Sequence, residues 1–173
     1  PKISNLFSEI IAIWIVSTWQ IFGNPKKFNI VELGPGDGSL MKTLLETFKR
    51  FPDFNKAKTI YLYEVSNFLK GIQKKNIKNK KVKWIKNFQH MNSGPVIFFG
   101  NEFFDAIPIK QFKRKKDLMF EKYFTFNENN KITEIFKKAA KKDISSINSY
   151  KSLINLKFIE FPKFGLEELK KIV

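Results

Sequence analysis

The sequence predicts an α/β fold, a parallel sheet with helices on both faces, and three observations predict it. Short apolar runs of strand length recur at Phe28–Val31, Thr59–Tyr63, Val82–Ile85 and Val96–Phe99. Between them lie stretches with apolar residues at helical spacing, as in Leu40, Leu44, Leu45 and Phe48. The first run leads straight into three glycines at alternate positions, Gly34, Gly36 and Gly38, and then into helix-like sequence from Ser39 to Arg50. Strand, glycine turn, helix is the first βα unit of a ligand-carrying sheet. Strands that alternate with helices call for a parallel sheet covered on both sides.

Taken in order, Ser4 reads as the N-cap of a helix reaching about Trp19 or Phe22, stopped by Asn24-Pro25. Its continuous apolar run, Ile10–Val16, is shorter than the roughly 20 residues needed to span a bilayer and predicts a buried helix lying on the sheet. After the second helix, Phe51-Pro52-Asp53 reads as a break. The second strand ends at Glu64, Phe68–Gln73 is a short helix, and Gly94-Pro95 turns into the fourth strand. Past Lys110 the character changes. Leu118–Phe126 and Lys131–Phe136 flank Asn127-Glu128-Asn129-Asn130, a hairpin with a polar turn. Lys137–Tyr150 is polar without a clear period, Phe158–Phe161 is extended, and a helix begins near Gly165. The organisation expected is one partial domain over 1–173: a packing helix in 1–24, a ligand-binding core in 28–112, and a hairpin insertion with the start of a C-terminal part in 113–173.

Composition limits the chemistry. The chain has no cysteine and a single histidine, His90, which excludes disulfides and multi-histidine or cysteine metal sites; no metal site is expected. The net charge is +16, but 30 of the 32 basic residues are lysine, and lysine comes with abundant Asn, Ile and Phe. Codon bias toward A and T explains that mixture. Nucleic-acid surfaces usually add arginine for bidentate contacts. No specific nucleic-acid partner is expected, and Lys78–Lys83 and Lys113–Lys116 read as solvated faces, with a weak attraction to acidic partners left open. The first residue is Pro1, so the chain is expected not to start at a natural initiator.

The glycine spacing narrows the ligand. A dinucleotide turn is G-x-G-x-x-G; here Glu32-x-Gly34-x-Gly36-x-Gly38 has the E-x-G-x-G-x-G form of S-adenosylmethionine sites, in which the acid lies near the cationic amino-acid end of the cofactor. A glycine turn without a ligand is the plainer alternative, and Glu64 weighs against it. An acid at the tip of the second strand is placed to accept from both ribose hydroxyls. A second constellation follows the fourth strand: Asn101-Glu102-Phe103-Phe104-Asp105-Ala106-Ile107-Pro108. Strands one and four neighbour each other at the switch point of such a sheet, so these carboxylates and the amide belong beside the glycine turn. If the methyl acceptor were a guanidinium, facing carboxylates would offset its repulsion from a sulfonium and orient its nitrogen. Turn and cap hydrogen bonding is the plainer role for Asn101 and Asp105, and packing for Phe103 and Phe104.

Together, Ile30–Met41, Tyr63-Glu64-Val65-Ser66, Asn101–Pro108 and Gln111-Phe112 resemble the MidA-like class I methyltransferases that use S-adenosylmethionine, a family that includes mitochondrial complex I assembly factors. Pro1-Lys2-Ile3-Ser4 with Phe7 and Glu9 is similar to that family's Pro-Glu-Ile-Ser segment. The resemblance covers most of residues 1–112. It implies a Rossmann-like seven-stranded methyltransferase sheet, S-adenosylmethionine as cofactor, and a protein arginine as substrate, with a respiratory complex I subunit as a candidate. Glu32, Gly34, Pro35, Gly36, Gly38 and Glu64, with Asn101, are implied as cofactor contacts, and Asn101, Glu102 and Asp105 as the acceptor-side catalytic set. The implied location is the bacterial cytoplasm, or the mitochondrial matrix in a eukaryote. Lys2, Ser8 and Asp37 depart from the family's usual Glu, Gly and Arg. A later strand rich in Ile-Asp-Tyr-Gly is absent, so the chain reads as part of a larger protein, cut before the fifth strand and leaving the fourth on an exposed edge. Other readings are an assembly chaperone that binds the cofactor without catalysis, and a methyltransferase for RNA or a small molecule. The lack of an Asn-Pro-Pro-aromatic motif disfavours RNA, and the glycine spacing disfavours a nicotinamide oxidoreductase.

Overall fold

The computed structural model describes residues 4–116 and 118–172, so Pro1-Lys2-Ile3 of the resemblance above lies outside the described residues. The chain divides into two compact units, the first ending at Phe103 and the second running Phe104–Lys171.

In the first unit α1 (Asn5–Ile21) starts where Ser4 Oγ accepts from the Phe7 N–H at 3.2 Å. It ends one turn before Pro25: Gly23, at φ +78°, donates to the Gln20 carbonyl, and Asn24 donates to that of Trp19. The apolar run is buried along one stripe only. Ala12, Ile15, Val16 and Trp19 are buried, while Ile10, Ile13 and Trp14 are each more than half exposed at 55%, 51% and 52%. A continuous run wraps all round a helix of 3.6 residues per turn, and the core covers one side of it.

The strands β1 (Phe28–Leu33), β2 (Lys58–Tyr63), β3 (Lys83–Ile85) and β4 (Val96–Phe99) form a parallel sheet in the order β3-β2-β1-β4. β4 is a terminal strand of this sheet. Chain order reverses beside β1, which is the switch point. The helices α1, α2 (Ser39–Phe48), α3 (Pro52–Ala57) and α4 (Asn67–Ile77) share one core with Phe28, Ile30, Ile60, Leu62 and Ile97. Trp19, Phe28, Phe48 and Phe54 meet there edge to face at 4.9 to 6.1 Å, each pair worth about 0.5–1.5 kcal/mol beyond its buried area. On the opposite face Val31, Leu33, Tyr61 and Tyr63 pack with Phe88, Met91 and Phe98. Phe51-Pro52-Asp53, read as a break, ends α2 and also starts α3, because the fixed φ of proline suits the first helical position.

In the second unit β5 (Lys110–Lys115), β6 (Leu118–Phe126), β7 (Ile132–Lys138) and β8 (Phe158–Phe161) form an antiparallel sheet in the order β7-β6-β5-β8. The hairpin expected at Asn127–Asn130 joins β6 to β7. The span 28–112 expected as one core thus divides, with β5 belonging to the second sheet. Phe112 is buried between exposed or half-buried lysines and glutamine, and the lysine run hides this period-two pattern. The helices α5 (Lys141–Asn148) and α6 (Lys163–Ile172) complete the unit, whose core is Phe112, Met119, Ile147, Ile159 and Phe161. At its edge the buried Asp143 carboxylate is held by Lys110 at 2.8 Å and Lys163 at 2.7 Å, and Lys110 also meets Glu121 at 2.9 Å. Among the described residues no helix is long and apolar enough to cross a membrane.

Candidate active site

The glycine turn follows β1 directly. The Gly34 N–H donates to the Tyr63 carbonyl at 3.1 Å, tying the tip of β1 to β2, and Gly38 N–H donates to the buried Pro35's carbonyl at 2.8 Å, closing the turn. Asp37 Oδ1 accepts from the Ser39 N–H at 2.9 Å, an Asx turn that leads into α2 through its N-cap, Gly38. Glu32, two residues before Gly34 in β1 and opposite Leu62 and Phe99 in the sheet register, is 2% exposed, and its Oε2 has no hydrogen-bond partner among the described residues. Burial, and then the nearby Asp37 charge, push this carboxyl from 4.5 up to about 8. It is therefore mostly protonated at neutral pH, and a cation placed beside it would restore the charged form.

The three glycines answer to different neighbours. A Cβ on Gly34, at φ +60°, would stand 2.8 Å from the Phe103 ring, and one on Gly38 would stand 3.0 Å from Ile77 Cδ1. Protein side chains fill those spaces. Among the described residues nothing lies within 4 Å of a Cβ built on Gly36, so here the main chain faces open space.

Glu64 sits at the tip of β2, buried. Its Oε1 accepts from the Ser66 N–H at 2.8 Å and its Oε2 from Gln73 Nε2 at 3.0 Å. A carboxylate offers about four acceptor positions, so two remain. Gln73, fully buried on α4, is the residue that sequence reasoning missed. Its amide also donates to the Gly36 carbonyl at 2.8 Å, while its Oε1 accepts from Trp84 Nε1 at 2.9 Å. The signal was present: Gln73 is a polar residue midway in the apolar i, i+4, i+8 stripe Leu69, Gln73, Ile77. Three residues on, Asn76 Nδ2 donates to the Asp37 carbonyl at 2.9 Å, so α4 holds the turn at two points.

Beyond β4 the chain passes close to β1: a Cβ on Gly100 would stand 3.0 Å from the Leu33 carbonyl oxygen. Phe103 then packs against the Tyr63 ring at 6.2 Å. Between them Asn101 and Glu102 are exposed, and neither side chain hydrogen-bonds to a described residue. Glu102 stands at φ +56°, a left-handed conformation that costs a non-glycine residue about 1–2 kcal/mol. Such strain gathers at functional positions. The structure thus brings Glu32, Gly34, Pro35, Gly36, Gly38 and Glu64 to the carboxyl ends of β1 and β2, and starts Asn101 and Glu102 from the adjoining end of β4. Asp105 falls in the second unit, exposed, in a turn that the Ile107 N–H closes onto the Phe104 carbonyl at 3.1 Å. Among the described residues no group of three His, Asp or Glu is placed to hold a metal.

Residues 10–167 match the model of the family described as "Putative S-adenosyl-L-methionine-dependent methyltransferase". The chain belongs to that methyltransferase family. Within it, the chain is 30% identical over 141 residues to the mitochondrial protein arginine methyltransferase NDUFAF7 of Xenopus tropicalis, a match covering 68% of this chain and 33% of that protein. It is 30% identical over 149 residues to the Caenorhabditis elegans homologue, covering 75% and 34%, and 28% identical over 138 residues to the human protein, covering 66% and 31%. The chain spans about a third of the length of these methyltransferases. The crystal structure of a Burkholderia thailandensis protein bound to S-adenosyl-homocysteine superposes with a TM-score of 0.73 at 16% identity, covering 99% of this chain and 44% of that one. That likeness confirms the α/β methyltransferase fold.

Proposed function

We propose that this chain is the cofactor-binding portion of an S-adenosylmethionine-dependent methyltransferase whose acceptor is a protein arginine. One observation carries the reading. An open main-chain stretch at Gly36 lies between a buried carboxyl with an orphaned oxygen, Glu32, and a fixed carboxylate with spare acceptor positions, Glu64. This set fits a ligand that is cationic at one end and carries ribose hydroxyls at the other. Gly34, Pro35 and Gly38 shape the turn, and Gln73 and Ser66 aim Glu64.

When bound, S-adenosylmethionine supplies a methyl group on a sulfonium, open to in-line displacement. Glu102 and Asn101 then act on the acceptor. The Glu102 carboxylate takes charge-assisted hydrogen bonds from a guanidinium and orients the nitrogen that attacks, and Asn101 presents its amide to the acceptor or to the cofactor's amino-acid end. Asp105 joins this set by resemblance. The named relatives are mitochondrial protein arginine methyltransferases, which supports a protein substrate and, in a eukaryote, a mitochondrial location; the family resemblance adds a respiratory complex I subunit as a candidate substrate and the matrix, or the cytoplasm of a bacterium, as the place. No specific nucleic-acid partner is proposed.

The test uses the full-length parent protein with a cofactor labelled in its methyl group, offered to total protein and to total RNA from the same cells. Label should enter arginine of protein, and Glu102→Gln should remove it while cofactor affinity stays within about twofold. Label in RNA alone would defeat the reading. Unchanged complex assembly with Glu102→Gln would favour a chaperone that holds the cofactor without using it.

A further inference from the structure

A concavity in the first unit shares two lining residues, Asn76 and Ile77, with the support of the glycine turn. It has a volume of about 880 Å³ and is formed by the ends of α2 and α4, the start of β2, and the loop leading to β3. Eight of its sixteen lining residues are lysine, against 30 of 173 in the whole chain. Codon bias therefore does not explain the concentration. Helix dipoles explain part of it, since cations near helix C-termini are favourable, and Lys75 and Lys78 stand there. They do not account for Lys58 at the start of β2, or for Lys80 and Lys81 in the loop.

Carboxylates do not balance the cluster. The one acid that lines the cavity, Glu46, is already paired with Lys49 at 2.6 Å. Lys56 has Asp53 at 3.8 Å. The remaining six lysines have no carboxylate within 4 Å among the described residues. Lys58 shows the consequence. Burial, and then the Lys81 charge, lower its ammonium from 10.5 to about 8, and its Nζ falls back on Asn55, through the side-chain oxygen and through the main-chain carbonyl at 3.2 Å. The Lys78 backbone is left-handed at φ +49°, a conformation that glycine or asparagine would take more cheaply. The floor is apolar, from Leu45, Ile60, Ile77 and Val82, with no aromatic ring among the lining residues.

We propose that this cavity binds a compact anion carrying two or more phosphate groups. Lysines clustered around a concavity, Lys58 half-buried and the other seven exposed, are relieved of mutual repulsion by a ligand of opposite sign, and lysines serve as point-charge phosphate binders. The volume lies within the small-ligand range of about 300–1,000 Å³. A nucleic-acid strand is the weaker fit, because single-strand sites add aromatic platforms for the bases. The phosphates could belong to a free polyphosphate or to a lipid headgroup. The proposal does not depend on the methyltransferase reading.

The test titrates the protein with inorganic tripolyphosphate, orthophosphate, a single-stranded oligouridine, and phosphatidylcholine vesicles with and without cardiolipin. Heat of binding or co-sedimentation is read. Tripolyphosphate should bind at least ten times more tightly than orthophosphate. Lys58→Gln/Lys81→Gln should weaken it tenfold or more, Lys58→Arg/Lys81→Arg should restore most of the affinity, and Lys113→Gln/Lys115→Gln, with the same charge removed from the other unit, should change it less than twofold. Cardiolipin vesicles bound with the same variant pattern would assign the phosphates to a headgroup. The proposal is overturned if tripolyphosphate does not bind, if both glutamine pairs weaken it equally, or if oligouridine competes better per phosphate.

Discussion

Gln73 donates one amide group to both the Glu64 carboxylate, at 3.0 Å, and the Gly36 carbonyl, at 2.8 Å. A single buried side chain on α4 thereby fixes the acid at the tip of β2 relative to the turn after β1. Gln73→Leu keeps the volume and removes every hydrogen bond. It strands the buried Glu64 Oε2 and the half-buried Trp84 indole N–H, at about 1–3 kcal/mol for each such group left unpaired, while the exposed Gly36 carbonyl can turn to water. The expected result is a loss of roughly 2–4 kcal/mol in urea denaturation, together with weaker binding of S-adenosyl-homocysteine by calorimetry. Affinity that stays at the wild-type value would show that Glu64 needs no support from α4.

The glycine turn should separate packing from ligand binding. Gly34→Ala drives a Cβ into the Phe103 ring and Gly38→Ala drives one into Ile77, so both should unfold at lower urea by roughly 1–3 kcal/mol. Gly36→Ala meets no atom of a described residue within 4 Å and should cost only its backbone strain, about 1 kcal/mol. If a ligand lies along this stretch, Gly36→Ala should nevertheless lose the most affinity of the three once the folded fractions are matched.

Glu32 carries a pH dependence of definite sign. Its carboxyl titrates near 4.5 when unfolded and near 8 when folded. Between those values the folded state keeps a proton that the unfolded state has released, so stability falls as pH rises through the window, by up to about 1.4 kcal/mol per pH unit, and levels off above it. Urea midpoints at about pH 5 and about pH 8.5 should therefore diverge in the wild type and converge in Glu32→Gln. A saturating cationic cofactor should shrink the wild-type difference, since it favours the ionised carboxylate.

The second unit answers to acid in the opposite direction. Burial works against the Asp143 charge, but Lys110 and Lys163 outweigh it and hold the carboxyl below its ordinary 3.8. Its contribution is present above that value and is lost as the pH falls through the lowered one. Asp143→Ala leaves two half-buried lysines without this partner and should cost about 3–5 kcal/mol, measured as a drop in the melting of the second sheet by far-ultraviolet circular dichroism. A change under about 1 kcal/mol would show that Glu121 alone satisfies Lys110.

Much of the first unit was legible in the sequence because its signals are local. Apolar runs of four to six residues, glycines at alternate positions and an acid at a strand tip each report on their own neighbourhood, and β1, β2, β4 and α2 follow from them. The second unit was harder to read. In β5 the inward residue is a lone Phe112 between a glutamine and a lysine, and α5 carries its buried core contact on Ile147 within a polar stretch, so neither shows a full period. Long-range partners were not legible. The stripe Leu69, Gln73, Ile77 marks Gln73 as a polar residue on a buried face, but nothing near Glu64 says that the two meet, and nothing in Lys42, Lys58 and Lys81 says that they share a cavity until β2, α2 and α4 are assembled. The E-x-G-x-G-x-G pattern also did not reveal that Phe103 and Ile77, and not a ligand, occupy the space beside Gly34 and Gly38.

The left-handed torsion at Glu102 sets two selections against each other. A library randomised at this codon and sorted only for yield of folded protein should drift toward glycine and asparagine, which relax the backbone. Under the proposed function, the same library sorted for methyl transfer should return to glutamate, so the gap between the two sorted pools measures what the side chain does apart from folding.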